Sequence, residues 1–288
     1  MIKIKKILLP VDFPSPSLNV IHQAASLAHH FRSEIVMMHV VTALSHSAGV
    51  PEDSAQLHGW DMLAEITKEA EKEQDRSLEP ELNDIAVRWL LTKGDAAYEI
   101  VRAAQEEEAD LIMMPSYGHT FSQFLLGSVT AKVLHGTECP VWTDAHVKLS
   151  SMKKFAIRNI LCAVDLSACD HKSVSWAAEM ASEFDARLTL AYVTPGVEMW
   201  GPGGNYVNAE LKEALVGNAS NQMARLQREM GITADVFICS GDVPKGLSQA
   251  AKQIGADLLI TGCRPYGGHL RTHGYSIICA VPIPVLNV

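Results

Sequence analysis

ILLPVDFPSPS, residues 7–17, and ILCAVDLSACD, residues 160–170, are two versions of one phrase. Each is a short apolar run ending on an aspartate, Asp12 and then Asp165, and the two aspartates lie 153 residues apart. Short apolar runs bounded by turn residues read as buried strands. A second phrase, KGDAAYEIVRAAQEEEADLIMM, returns as SGDVPKGLSQAAKQIGADLLIT, with Gly94-Asp95 matching Gly241-Asp242 at a spacing of 147. A third, Glu138-Cys-Pro-Val141, returns as Pro282-Ile-Pro-Val285 at a spacing of 144. The shrinking offset means small deletions in the second copy, and the repeat sets the architecture.

Within each copy, β-rich apolar runs alternate with longer amphipathic segments, the signature of βαβ units and a parallel sheet. In the first copy the runs predict strands at 6–11, 34–41, 85–91, 110–114 and 140–143. Helices are expected from about Ser17 to Phe31, with Leu18, Ile21, Ala24, Ala25 and Ala28 on one stripe, then between Pro51 and about Leu78, between Ala96 and Glu108, and from Ser128 to about His135. Gly94-Asp95 supplies a turn and an N-cap for the third helix. The second copy predicts strands near 159–164, 187–193, 234–239, 257–261 and 283–287. The fold class is therefore α/β, with two repeated, doubly wound, five-stranded parallel-sheet domains at 1–147 and 156–288, joined by the polar stretch Ala145–Ala156.

Composition narrows the function classes. The 288 residues are 48% apolar and 20% charged, enough for large cores. No run of 18 apolar residues occurs, and the most apolar stretch, Ile277–Val288, carries Pro282 and Pro284, so no membrane association is expected. The opening Met-Ile-Lys-Ile-Lys-Lys runs straight into a strand, and a cytoplasmic protein is expected. Residues 1–147 hold 11 basic and 21 acidic side chains and residues 148–288 hold 13 and 12, net −10 and +1, and neither half suits nucleic acid. The six cysteines form no C-x-x-C pair and read as reduced, packed thiols.

Ligands of doubly wound sheets bind outside the carboxyl ends of the strands, where the strand order reverses. Strands one and four flank that point. Strand one ends at Pro10-Val11-Asp12 in the first copy and Ala163-Val164-Asp165 in the second. The aspartates either accept hydrogen bonds from a ribose or base edge, or organise the loop into helix one; both readings stand at this point. Strand four of the first copy ends at Met113-Met114 and opens a loop from Pro115 to Gly127-Ser128-Val129-Thr130. A glycine followed by hydroxyl residues at a helix N-terminus offers N–H groups, a favourable dipole and side-chain donors to a phosphate, although Ser128 serves equally as an N-cap.

The strand-end Asp, the G-D turn, the A-D-L-I strand, the LLGSVT junction and the C-P-V final strand together resemble the universal stress protein family over nearly all of both copies. The resemblance implies a flavodoxin-like, adenine nucleotide α-hydrolase-like sheet and a G-x2-G-x9-G-[ST] loop after strand four. It makes Pro10, Val11, Asp12 and Val41 the adenosine side and Met114, Gly118, Gly127, Ser128, Val129 and Thr130 the ribose and phosphate side. It also implies pairing of domains through the last strand, hence an internal pseudo-dimer and self-association of chains as a homodimer, with Val141-Trp142 and Val285-Leu286 at that edge. Two departures stand out. Pro115 replaces the first glycine of the loop and has no N–H to donate. Eight residues, not nine, separate Gly118 from Gly127.

The second site is more altered. Val164, Asp165, Val193 and Gly262 hold the corresponding wall, but Arg271-Thr272 stand where the first copy has Gly127-Ser128, and Pro265 replaces the second glycine of a loop four residues shorter. Arg271 could pair with a phosphate. Without a backbone cradle the second site is read as degenerate and structural.

Other candidates carry less. His269 and His273 have i, i+4 spacing but no third ligand, so no metal is assigned. His39, inside Met37-Met38-His39-Val40-Val41, reads as a hydrogen-bonded strand histidine. His119, in the crevice loop, is placed to touch a phosphate when protonated, or to be solvated. Trp200-Gly-Pro-Gly-Gly-Asn-Tyr206 reads as a flexible flap rather than a phosphate loop. No nucleophile elbow occurs and no catalytic residue is assigned. The sequence leads to a stress-response regulator or sensor that binds an adenine nucleotide, ATP (with Mg2+) or AMP, in its first domain with little or no turnover. A non-binding interaction scaffold and a weak ATPase remain as alternatives.

Overall fold

The computed structural model describes residues 2–12, 18–41, 82, 84–116, 126–144, 155–167, 170–196, 198–201, 204–207, 209–262 and 274–288. In the first copy these form β1 (Lys6–Pro10), α1 (Leu18–Phe31), β2 (Glu34–Val41), β3 (Val87–Lys93), α2 (Ala96–Glu106), β4 (Leu111–Met114), α3 (Ser128–Gly136) and β5 (Val141–Thr143). The second copy follows with β6 (Asn159–Ala163), α4 (Asp170–Phe184), β7 (Arg187–Thr194), β8 (Glu198–Gly201), β9 (Gly204–Val207) and α5 (Ala209–Met230). It continues with β10 (Asp235–Ser240), α6 (Val243–Ile254), β11 (Leu258–Thr261), α7 (Gly274–Ala280) and β12 (Val285–Asn287). The helix expected at 51–78 and most of the linker lie outside the described residues.

Ten strands make one sheet in the order β10-β7-β6-β11-β12-β5-β4-β1-β2-β3. In this sheet every pairing within a copy is parallel, and the order reverses between β1 and β4 and again between β6 and β11. The copies meet where β5 and β12 pair antiparallel, with Trp142 opposite Leu286 and Thr143 opposite Val285. The last strands are thereby consumed inside the chain. The edges of the sheet are β3 and β10.

Strand residues alternate between two cores, as expected of a sheet covered on both faces. Ile7, Leu9 and Val11 join α1, α4 and the tail of α5 in a cluster that spans both copies and includes Trp142 and Leu286. Leu8 joins α2, α3, α6 and α7 on the other face. Trp142 is fully buried, and its indole N–H donates to Gln23 Oε1 at 2.7 Å, which satisfies both polar groups. At the far ends of α1 and α4, His30 stacks on Phe184 and its Nε2 lies 3.1 Å from Glu183 Oε1, a second tie between the copies.

Two small devices are built twice. Asp110 Oδ2 accepts the N–H groups of Lys5 and Lys6 at 2.7 and 3.0 Å, and Asp257 Oδ2 accepts those of Arg158 and Asn159 at 2.8 and 2.9 Å. The aspartate of each A-D-L phrase thus clamps strand four to the start of strand one. Asp95 and Asp242 cap α2 and α6 through the N–H groups of Tyr98 and Lys245, each at 3.0 Å. Gly94 and Gly241, at φ 154 and 120, turn the chain so that each N–H donates to the end of the neighbouring strand, at Val41 of β2 and Thr194 of β7.

The structure corrects two local expectations. Leu18 begins α1 but is 53% exposed and lies off its buried stripe. β3 starts and ends two residues later than expected, because pairing with β2 continues to Val41 opposite Lys93. Residues 198–201 and 204–207 pair as an antiparallel two-stranded ribbon, with Trp200 opposite Asn205 and Gly201 opposite Gly204.

Candidate functional site

The sheet brings Pro10, Val11 and Asp12 at the end of β1, Val41 at the end of β2, Met114 at the end of β4, and Gly127–Thr130 at the start of α3 to one carboxyl-terminal edge. Val11 N donates to Met38 O at 2.8 Å, and His39 Nδ1 lies 2.9 Å from Val11 O. His39 is therefore a strand histidine that fixes the backbone just ahead of the exposed Asp12. Gly118 and His119 lie outside the described residues.

Hydrogen bonds brace the two stems of the loop after β4. Ser116 is wholly buried; its N–H donates to Asp144 Oδ1 at 2.9 Å, and its hydroxyl lies 3.0 and 3.1 Å from the carbonyl and carboxylate oxygens of Asp144. Gly127 N donates to Ser116 O and Thr130 Oγ1 donates to Pro115 O, both at 2.9 Å. Residues 115–116 are thereby stitched to the first turn of α3. The missing N–H of Pro115 leaves this frame intact, because Pro115 takes part through its carbonyl.

This stitching reassigns individual donors. Gly127 is the N-cap, at φ −56 and ψ 138, and makes no side-chain cap bond. Ser128 is consequently the first helical residue, not the N-cap, and its side chain is exposed. The N–H of Gly127 and the hydroxyl of Thr130 are directed into the frame. The N–H groups of Ser128, Val129 and Thr130 fall in the first turn, where helix geometry supplies no acceptor, and the positive end of the dipole lies there. An anion would be held by these groups and by Ser128 Oγ.

In the second copy the crevice is built differently. Asp165 Oδ1 accepts Ser167 N at 3.0 Å, and Asp170 Oδ2 accepts Asp165 N at 3.0 Å. This turn holds Leu166 at φ 60, an uncommon conformation for a branched aliphatic residue. Here the strand-end aspartate organises its loop. The same bond cannot form at Asp12, because the residue two positions on is Pro14, which has no N–H. Val164, Asp165 and Val193 line a cavity of about 240 Å3 beside α6 and α7. Gly262 ends β11, and Arg271 and Thr272 lie outside the described residues. By the spacing of 144, Gly274 stands where the first copy has Thr130, so that position carries no hydroxyl.

The sequence pattern of the universal stress protein family matches residues 3–143 and again 156–286. The chain belongs to the universal stress protein family. Universal stress protein MJ0531 of Methanocaldococcus jannaschii is 31% identical over 140 residues, covering 48% of this chain and 79% of that protein. A universal stress protein from Archaeoglobus fulgidus matches 99% of this chain and 96% of its own with a TM-score of 0.69 at 23% identity. A functionally unknown protein from Pseudomonas aeruginosa matches 99% and 92% with a TM-score of 0.66 at 16% identity. At those identities the structures establish the shared fold alone. No helix among the described residues is long and apolar enough to cross a membrane.

Sequence reasoning missed Ser116 and Asp144, which carry the loop frame. Their signal was a buried-strand end followed by a carboxylate, too common to single out. Among the described cysteines, Cys162 is fully buried, and burial, with Asp110 nearby, pushes the Cys139 thiol up to about 12. Such a thiol is not a nucleophile at neutral pH.

Proposed function

We infer that the first copy binds an adenine nucleotide, ATP or AMP, as a regulatory or sensing ligand with little or no turnover, in a cytoplasmic stress-response protein. The observation that carries this reading is the start of α3. A helix N-terminus without a side-chain cap opens at the point where the strand order reverses, on stems braced by Ser116, Asp144 and Thr130. Pro10, Val11, Asp12 and Val41 would face the adenosine, and Met114, with the first-turn N–H groups of α3 and Ser128 Oγ, the ribose and phosphates. Gly118 and His119 belong to the same proposed site by the family resemblance. Mg2+ would arrive on the phosphates of ATP.

One observation favours the scaffold alternative: Gly127 N and Thr130 Oγ1 are spent inside the frame, which leaves a smaller set of donors. It also weakens the case for an ATPase, since the Thr130 hydroxyl is directed at Pro115. A homodimer would have to form away from the last strands, which pair within the chain. Calorimetry with ATP and AMP on nucleotide-free protein tests the reading. The expected result is affinity below millimolar that falls at least tenfold in Gly127→Val and in Asp12→Ala, about 1.4 kcal/mol or more. Absence of binding by a folded chain would leave the scaffold in its place. Phosphate release that scales with protein and disappears in both variants would make it an ATPase.

A further inference from the structure

The start of α3 is held from the second copy as well as by its own loop. The Tyr275 hydroxyl, on α7, donates to Ala131 O at 3.0 Å. One turn further along the same face of α7, Cys279 lies at the stem of the loop. Burial pushes its thiol up, and the Leu126 N–H beside its sulfur works in the opposite direction. Leu126 immediately precedes Gly127, so α7 meets the chain on both sides of the α3 N-cap. The platform is firm: Ile277 and Ile278 of α7 share a core with Val133 and Leu134 of α3, and Ser248 Oγ on α6 donates to Ala280 O at 3.0 Å. Ala131 and Tyr275 are equivalent residues by the repeat spacing of 144, and alanine has no hydroxyl to return the bond. The tie runs one way, from the second copy to the first.

Which carbonyl accepts this bond matters. In α3, Ala131 N donates to Gly127 O at 2.9 Å, and the next rung of the ladder joins Lys132 N–H to Ser128 O. Each peptide unit carries the carbonyl of one residue and the N–H of the next. The Tyr275 hydroxyl therefore heads a chain that runs through the Ala131 carbonyl, Lys132 N–H and Ser128 carbonyl to Val129 N–H. That last group lies in the first turn and has no acceptor within the helix. Hydrogen bonds in such a chain polarise one another, by about 10–30% per bond. We propose that Tyr275 is a positioning residue for the first copy's anion site, fixing the first turn of α3 and strengthening Val129 N–H as a donor to a nucleotide phosphate. The proposal rests on the nucleotide reading above and deepens it, because it makes the second copy part of the phosphate end of the first copy's site.

The test is calorimetry on the full chain with AMP and with adenosine, which differ by the phosphate alone. Tyr275→Phe keeps the ring and removes the donor. AMP affinity should fall about threefold, the scale of one neutral hydrogen bond, with adenosine affinity unchanged. A ring-fluorinated tyrosine at position 275 keeps the hydroxyl and makes it a stronger donor, so AMP affinity should be at least that of the unmodified chain. Its fluorine resonance should move further with AMP than with adenosine. Equal loss of AMP and adenosine in Tyr275→Phe would mean that the residue only supports folding, and unchanged AMP affinity that the chain of bonds does not reach the ligand. Either result overturns the proposal and leaves the nucleotide reading standing. Should Tyr275→Phe fail to fold, the fluorinated chain decides, and equal fluorine shifts with the two ligands overturn the proposal. A folded chain that binds neither AMP nor adenosine overturns the nucleotide reading itself, and the role of Tyr275 falls with it.

Discussion

The strand-end aspartates occupy the same place in two copies of one fold, but their next neighbours differ. Asp165 is followed after one residue by Ser167, whose N–H it accepts, and its carboxylate helps to hold the loop. Asp12 is followed after one residue by Pro14, which offers no N–H. After strand four the contrast reverses: the first copy braces its loop with Thr130 and Ser116, whereas the second has Gly274 at the threonine position. The first copy has organised its helix N-terminus; the second has organised its aspartate beside a mostly apolar cavity. A duplicated frame can therefore carry two unlike crevices, provided that the clamps between strands are kept.

The widest break in this comparison should come at the seam both copies share. Trp142→Ala removes the largest fully buried side chain and leaves Gln23 Oε1 without its donor. A loss of about 3–5 kcal/mol is expected. Leu286→Ala, directly opposite on β12, should cost about 2–5 kcal/mol. Urea denaturation checks both. If the seam joins the copies energetically, each variant should lower the midpoint of the whole chain; unfolding of one copy alone would show that the continuous core of both copies is not one cooperative unit.

The clamps offer a matched test of what the duplication preserved. Asp110→Ala and Asp257→Ala each remove a carboxylate that accepts two backbone N–H groups, and each should cost about 2 kcal/mol. Similar losses in the two variants, measured by denaturant melts, would support a conserved frame. A large inequality would mean that one copy no longer depends on it.

Much of the frame was readable before the coordinates. The repeated A-D-L phrase fixed where strand four begins, and each G-D turn identified its helix cap, because glycine and aspartate at those positions have specific local uses. The crevice was less readable. Ser128 looked like the cap because side-chain chemistry alone cannot decide between adjacent positions, and Gly127 took that place once its own N–H was drawn to Ser116 O. The Ser116–Asp144 bond joins residues 28 apart, so neither local propensity nor periodicity points to it. The cavity of the second copy was hidden for a similar reason. It results from how β6, β7, α6 and α7 sit together, and no single segment encodes it.

A smaller effect separates the braces themselves. Thr130→Val keeps the side-chain shape but removes the donor to Pro115 O, and about 1 kcal/mol of stability should go with it. Nucleotide affinity should fall alongside if the brace positions the first turn of α3. Gly274, at the matching position of the second copy, carries no hydroxyl to remove. Unchanged stability in Thr130→Val, by thermal melting, would show that Ser116 and Asp144 suffice.

The smallest effect should depend on pH and fall on the first copy alone. Glu107 receives Arg88 and Lys6, and the Arg88 hydrogen bonds are the leading cause that holds its carboxyl below the usual range. By the repeat spacing of 147, the second copy has Ile254 at this position. A depressed folded-state pKa means stability that is present above the unfolded pKa, about 4.3, and is lost as pH falls through the folded value. Glu107→Gln should therefore cost less than about 1 kcal/mol at neutral pH, since the group is partly solvated and screened. The gap between variant and parent should close in acid, once the carboxyl is protonated in folded and unfolded chains alike. Melts from pH 7 down to about 3 would test this. A gap that stays constant over that range would mean the substitution acts through packing, and the first copy would have no acid-sensitive brace that the second lacks.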